Sequence, residues 1–370
     1  MTRGARLDQL AELYHQSGPF ATAYVEVSRD AESGNQVAEL AAREAADALL
    51  ALGAPADVAA SIRDGLSRST HQPAPVSRCL VVSASGVLLD RLTRSHRPQP
   101  LTAWAPLPDL APWLADLQQS RPFVLALVDR EGGDVTSYSA DGMGVTDENS
   151  VGEASPYVHK VRSGGWSQLR YQHTSENVWR ANAGEVAQEI EREVRTGPDL
   201  VVMAGDVKAR SAVREQLPES LSAELVELDH GGRAVDGGDD ALAAEVQSVI
   251  RDRVVATTLS VVHELRDRMG QGRAVAVGVR DVTDAFVRGQ VDTLLLDPDA
   301  AREFQIRAAD HPGLVLGASI GDEPVRADLA VVAAACLTDA EVVISRASTL
   351  GGAPVAALLR WDQTAQGTRA

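Results

Sequence analysis

The chain has 370 residues, more than one hydrophobic core usually serves, so two or three domains are expected and a single small module is excluded. Its 52 Asp and Glu against 35 Lys and Arg leave a formal net charge of −17, while 44% apolar and 24% charged residues describe an ordinary soluble globular chain. Coating of nucleic acid by bulk positive charge is thereby excluded.

The first apolar positions, Leu7, Leu10 and Leu13, predict a short helix over 7–15 that Gly18-Pro19 stops. A strand is expected at Ala21–Val27. Two helices follow, one on Val37, Leu40, Ala41, Ala45, Ala48, Leu49 and Leu52, the other on Val58, Ile62 and Leu66. Leu80–Ser83 and Val87–Leu92 flank a Ser85-Gly86 turn and predict a hairpin. The prolines at 98, 100, 106, 108, 112 and 122 read as a linker, with a domain boundary near 120.

Beyond that boundary, Phe123–Asp129 and Asp134–Ser139 predict a second hairpin around Glu131-Gly132-Gly133. Residues 140–172 are polar and glycine-rich, longer than a passive connection in a compact domain, where loops past ~12–15 residues are usually functional or disordered. A long helix is expected from about Ser175 to Arg195, then a buried strand at Leu200–Ala204, a helix capped by Asp206, and a strand at Leu225–Leu228. An acidic, glycine-rich run, Gly231–Asp240, precedes a helix of about thirty residues, Asp240–Met269. The remainder alternates strand and helix through Ala274–Val279, a helix ending at Phe286, Thr293–Asp297, Leu329–Leu337, Val342–Ser345 and Val355–Leu359. The expected class is α/β in three domains, 1–120, 121–257 and 258–370.

Cys79 and Cys336 each lie in a short apolar run and read as buried hydrophobes, so neither a disulfide framework nor a thiolate zinc site is expected. No stretch has the length of a signal peptide or a membrane span, and a cytoplasmic protein without membrane contact is expected. No Walker-type loop, HExxH, GxSxG or GxGxxG after a strand is present, and the eight histidines show no metal-ligand spacing, so neither metal nor cofactor is expected. Asp206 and Lys208 could hold a phosphate at a helix start, against the plainer reading of an N-cap and a surface lysine.

One segment departs from the acidic average. From Ala154 to Ser175 no residue is acidic, while Lys160, Arg162 and Arg170 are cationic. Tyr157, Trp166 and Tyr171 could stack on unpaired bases, and Gly164-Gly165 would let backbone approach a phosphate or sugar closely. The competing reading is a polar loop whose aromatics fold back onto the domain. The candidate RNA contacts are His159, Lys160, Arg162, Gly164, Gly165, Trp166, Gln168, Arg170 and Tyr171, with a weaker basic patch at Arg91, Arg94 and Arg97.

The domain order, the basic Gly164-Gly165 loop and the stretch Asp281–Asp297 resemble the archaeal and eukaryotic release factor one and Pelota family. Gly18-Pro19-Phe20-Ala21-Thr22-Ala23-Tyr24, Val158-His159-Lys160, Gly165-Trp166 and Gln172-His173-Thr174-Ser175-Glu176 resemble more closely its bacterial branch, which includes Balon-type ribosome hibernation factors and their actinobacterial relatives. The resemblance implies a ribonuclease-H-like middle domain whose loop reaches toward the peptidyl transferase centre. It also implies a C-terminal α/β/α domain like kink-turn-binding ribosomal proteins, facing a translational GTPase such as elongation factor Tu. The implied partner is the ribosome, at its A site, through ribosomal RNA and proteins. Release factors of this family carry Gly-Gly-Gln in the loop, whereas here Gly164-Gly165 is followed by Trp166 and the nearest glutamine is Gln168. The resemblance therefore implies a non-enzymatic, hibernating factor, with a peptidyl-tRNA hydrolase using Gln168 or His159 as the alternative.

Overall fold

The computed structural model describes residues 7, 10–29, 34–70, 72, 74–129, 131–139, 145–152, 176–222, 224–229, 231, 239–318, 320 and 323–361. The chain forms two compact units, residues 1–119 together with 254–370, and residues 120–253.

The first unit begins with a single helical turn, α1 (Ala11–Tyr14), and β1 (Phe20–Glu26). A helical pair, α2 (Gly34–Ala51) and α3 (Ala56–Ser67), leads to a hairpin of β2 (Ser77–Ser83) and β3 (Gly86–Thr93), then β4 (Leu101–Ala105) and α4 (Ala111–Gln118). The four strands form an antiparallel sheet in the order β3-β2-β1-β4. Helices α2 and α3 cover one face, closely enough that a Cβ on Gly65 would lie 2.6 Å from Leu80 Cδ1. Tyr24, Cys79, Val81 and Leu89 enter the core on the other side.

Two expectations are corrected here. The proline-rich stretch is edge strand β4 and helix α4, not a linker; Pro98, Pro100, Pro106 and Pro108 flank the strand, Pro112 occupies the first helical turn, where the missing N–H costs nothing, and Pro122 directly precedes the strand that begins at Phe123. Of the positions taken as one apolar face of α2, Ala45 and Leu49 are buried, joined by Ala38 and Ala42, whereas Val37 and Leu40 and, just past the helix, Leu52 are exposed.

The second unit opens with β5 (Phe123–Val128), β6 (Gly132–Tyr138) and β7 (Val145–Gly152), an antiparallel triplet. Strand β7 lies within the stretch expected to be a loop. Next come α5 (Glu176–Val194), β8 (Leu200–Gly205), α6 (Val207–Gln216), α7 (Glu219–Ser222) and β9 (Leu225–Glu227). The sheet order is β7-β6-β5-β8-β9, with β8 parallel to both β5 and β9. Asp206 caps α6 by accepting the Lys208 and Ala209 N–H groups, as the plainer sequence reading expects.

Helix α8 (Asp239–Gln271) carries the chain into the first unit again at Val254. There β10 (Val275–Val277), α9 (Val279–Val287), β11 (Val291–Leu296), α10 (Pro298–Ala301), β12 (Gln305–Ile306), β13 (Val325–Arg326), α11 (Ala327–Leu337), β14 (Glu341–Ile344) and β15 (Val355–Leu359) follow. Four strands pair in the order β10-β15-β11-β14, and β12 pairs with β13. Val261, Val262 and Leu265 of α8 pack on one face of the larger sheet. Helices α9 and α11 pack in the core on the other face.

Helix α11, Ala-rich with no polar stripe, is buried over ten of its eleven residues, as a helix apolar all round must be. It shares one continuous core with Tyr14, Phe20, Tyr24, Leu110 and Leu114 from the N-terminal segment. Two polar contacts reinforce that core. Arg326 donates to Asp109 Oδ2 at 2.8 Å and to Asp328 Oδ1 at 3.0 Å, both carboxylates being buried. The Gln118 side chain accepts the Ile344 N–H at 2.6 Å and donates to the Ile344 carbonyl at 3.1 Å, so one amide group occupies the outer edge of β14 as a further strand would. Both cysteines are buried, and burial pushes the Cys336 thiol up to about 12.

Burial raises the Asp109 carboxyl above the ordinary carboxylate range, with Arg326 opposing the rise. Arg326→Ala leaves two buried carboxylates without their shared cation and should cost about 3–5 kcal/mol in urea unfolding at neutral pH. Because a carboxyl whose folded pKa is raised favours the folded state below its unfolded pKa and loses that contribution as pH rises through the folded one, the deficit of the variant should shrink as pH is lowered toward the ordinary carboxylate range.

Candidate functional site

Residues 154–175, and with them His159, Lys160, Arg162, Gly164, Gly165, Trp166, Gln168, Arg170 and Tyr171, lie outside the described residues. What the structure defines is the base from which this acid-free segment departs. Gly152, the last residue of β7, pairs with Gly132 at the start of β6. On the returning side, Asn182 of α5 donates to the Glu131 carbonyl at 3.3 Å. Both stems are thus fixed to the β5–β6 turn, at one end of the sheet.

Helix α5 is held there along its length. Ala183, Val186, Ala187 and Ile190 pack on Val124, Ala126, Val128 and Val135, and Gly133 makes room for Val186, whose Cγ2 would lie 3.0 Å from an added Cβ. At the far end, Ser137 Oγ donates to the buried Glu193 carboxylate at 2.5 Å, and Arg192 pairs with the same group at 2.8 Å. On the β7 side, Ser150 Oγ donates to Asp134 at 2.6 Å. A Cβ on Gly205 would meet the Val128 carbonyl at 1.9 Å, so the close approach of β8 to β5 depends on that glycine. The sequence reading did not single out Asn182 and Glu193. Their signal is polar side chains eleven residues apart on a helix, three turns, set within its apolar stripe.

The cleft beside this base, lined by Asp129, Gly132, Asn182, Ala183, Ala209 and Val213, has room for about one water molecule, too little for a substrate. Among the described residues no group of His, Cys, Asp and Glu could hold a metal ion, and no helix is long and apolar enough to cross a membrane.

Several arginines of this unit are neutralised in ion pairs: Arg121 with Asp199 at 2.9 Å, Arg210 with Glu227 at 3.4 Å, Arg214 with Glu227 at 3.0 Å, and Arg253 with Glu224. The cations of the acid-free segment have no carboxylate neighbour in sequence.

The second basic patch belongs to the first unit and divides in two. Arg91, on edge strand β3, and Arg94, just past it, are exposed. Arg97 is turned to structural use: its guanidinium lies 4.5 Å from the Tyr24 ring centroid and 3.4 Å from Asp116 Oδ2. Tyr24, fully buried, donates its hydroxyl to the same Asp116 oxygen at 2.7 Å, and burial raises its pKa. The Arg97 N–H and His96 Nδ1 both meet Glu26 Oε2, at 2.9 and 2.8 Å.

Residues 122–271, which include the acid-free segment, match the model of a protein class described as bacterial archaeo-eukaryotic release factor family 2. Over 97% of its length the chain is 28% identical to Rv2629 of Mycobacterium tuberculosis, an uncharacterized protein of which 98% is covered. Among solved structures, Archaeoglobus fulgidus Pelota is similar over 98% of this chain and 94% of its own, at 14% identity and a TM-score of 0.36. Dom34 of S. cerevisiae, a translation termination-like factor, is similar over 99% and 95%, at 7% identity and a TM-score of 0.44.

The division within the arginine patch is testable by thermal and chemical unfolding. Arg97→Ala should destabilise by about 1–2 kcal/mol through loss of the ring and carboxylate contacts. The double variant Arg91→Ala, Arg94→Ala should stay within about 0.5 kcal/mol of the parent.

Proposed function

We propose that the protein is a non-enzymatic ribosome-binding factor that occupies the vacant A site, with residues 154–175 directed toward the peptidyl transferase centre. The observation that carries this reading is the release-factor family match over 122–271, within which Gly164-Gly165 is followed by Trp166 in place of the glutamine. Release chemistry needs a group that orients the attacking water, and a displacement of ~1 Å can cost on the order of a hundredfold in rate. Gln168 stands two residues further along the chain. A hibernation role follows: the loop is retained as a contact while the hydrolytic group is lost.

The architecture supports the finer fold assignment. An antiparallel triplet continued by two parallel strands agrees with a ribonuclease-H-like middle domain. A sheet flanked by α8 on one face and by α9 and α11 on the other agrees with an α/β/α C-terminal domain. In this reading Lys160, Arg162 and Arg170 meet ribosomal RNA, Arg91 and Arg94 offer a second contact, and a translational GTPase such as elongation factor Tu faces the C-terminal domain. The net charge of −17 restricts RNA contact to such local surfaces and leaves basic ribosomal proteins as the complementary partners of the remaining body.

Purified protein should cosediment with vacant ribosomes at physiological salt, and absence from the ribosomal fraction would overturn the proposal. Changing Lys160, Arg162 and Arg170 together to Ala should weaken that binding and lower the slope of log affinity against log salt by up to about three. Ribosomes carrying labelled peptidyl-tRNA should release no peptide on addition of the protein. Release abolished by Gln168→Ala would instead establish the hydrolase reading, and Trp166→Gln approaches the same question from the opposite side.

A further inference from the structure

Helix α2 carries two faces. Ala38, Ala42, Ala45 and Leu49 pack inward, whereas Val37, Leu40, Glu44, Asp47 and Ala51 fall on the opposite side, where Val37 is 60% and Leu40 57% exposed. The outward five stand at alternating spacings of three and four, the seam by which one helix packs along another. Its N-terminal half is apolar and its C-terminal half is acidic. Arg43, the nearest cation on the helix, is taken by Glu39 at 2.6 Å. Among the described residues neither Glu44 nor Asp47 has a salt-bridge partner.

We propose that this seam docks a basic amphipathic helix of a partner protein, one that sets apolar side chains against Val37 and Leu40 and Lys or Arg against Glu44 and Asp47. Charge decides between the occupants. RNA would bring phosphates to two carboxylates. A second copy of α2 is disfavoured in both orientations over the full seam: parallel pairing sets Glu44 against Glu44 and Asp47 against Asp47, and antiparallel pairing sets Glu44 against Glu44 and Asp47 against Leu40. A basic helix satisfies both halves at once, the pattern of groove and seam recognition by amphipathic helices. The inference stands apart from the ribosome reading, since it rests only on α2.

The test uses the full chain and a synthetic three-heptad helical peptide that places Leu opposite Val37 and Leu40 and Lys opposite Glu44 and Asp47, with a Glu-for-Lys peptide as control. By fluorescence anisotropy the Lys peptide should bind at least about tenfold more tightly than the control. The double variant Val37→Gln, Leu40→Gln keeps the charge and should weaken that binding at least about tenfold, with an unchanged thermal midpoint because both side chains are exposed. Glu44→Lys with Asp47→Lys should reverse the preference between the peptides. Equal binding of the Lys peptide to parent and Gln variant would reduce the contact to bulk charge and overturn the proposal, as would no binding at all. A parent that sediments as a dimer and is made monomeric by the Gln substitutions would overturn it in favour of self-association.

Discussion

A single guanidinium, that of Arg326, holds together parts of the chain more than two hundred residues apart. It stands between Asp109 of the N-terminal segment and Asp328 at the head of α11, and both carboxylates are buried. Asp109 also donates its backbone N–H to Thr22 Oγ1 on β1, so strand, turn and buried helix meet in one polar knot. An Ala-rich helix with no polar stripe can slide and rotate along an apolar core at little cost. The bond from Arg326 to Asp109 limits that freedom, because moving α11 draws the guanidinium off a buried carboxylate, while Asp328 moves with it and also has Arg302 Nε at 3.8 Å. Gln118 acts similarly at the edge of β14: its amide satisfies both backbone groups of Ile344, which ties α4 to one register of the C-terminal sheet.

The second unit solves a different problem, which is to hold the two stems of a long polar segment. Backbone pairing fixes one stem through Gly152 on Gly132, and apolar packing with two polar contacts fixes the other through α5. Both solutions converge on β6 and the turn before it. On the proposed function, a segment that binds by a few cations and aromatic rings would gain from such a base, since a fixed base lessens the entropy lost on binding.

Much of this was legible in the sequence, and the failures share a physical cause. Alternation and apolar runs gave the β2–β3 and β5–β6 hairpins, the strand at Leu200 and the Asp206 cap, because each rests on local chemistry. Strand β4 was hidden by its flanking prolines, which an edge strand tolerates and a central one does not. Strand β7, Val-Thr-Asp-Glu-Asn-Ser-Val-Gly, is polar at the sheet edge and owes its conformation to pairing with β6, which no local pattern records. In α2 the periodicity was real but belonged to two faces, and alanines took the inner one because close packing against α3 and the sheet favours small side chains. The Arg326 knot joins residues too distant in sequence for any spacing rule to connect. Within the arginine patch, composition could not separate Arg97, committed to Tyr24 and Asp116, from exposed Arg91 and Arg94.

The acidity of the chain then acquires a directional meaning. An acidic surface is repelled from a polyanion in most orientations, and several arginines of the second unit are already paired with carboxylates. The acid-free 154–175 segment is where that repulsion is locally reversed. Electrostatics of this kind contributes more to orientation than to affinity, because the wrong approaches are penalised while the right one is only mildly favoured. The same logic applies with opposite sign to α2, whose carboxylates reject phosphate and favour cationic side chains. On the proposed function and the proposed docking at α2 together, a body that meets RNA through one narrow segment and basic protein through an acidic seam would be held in one pose on a mixed surface without any large contact to either component.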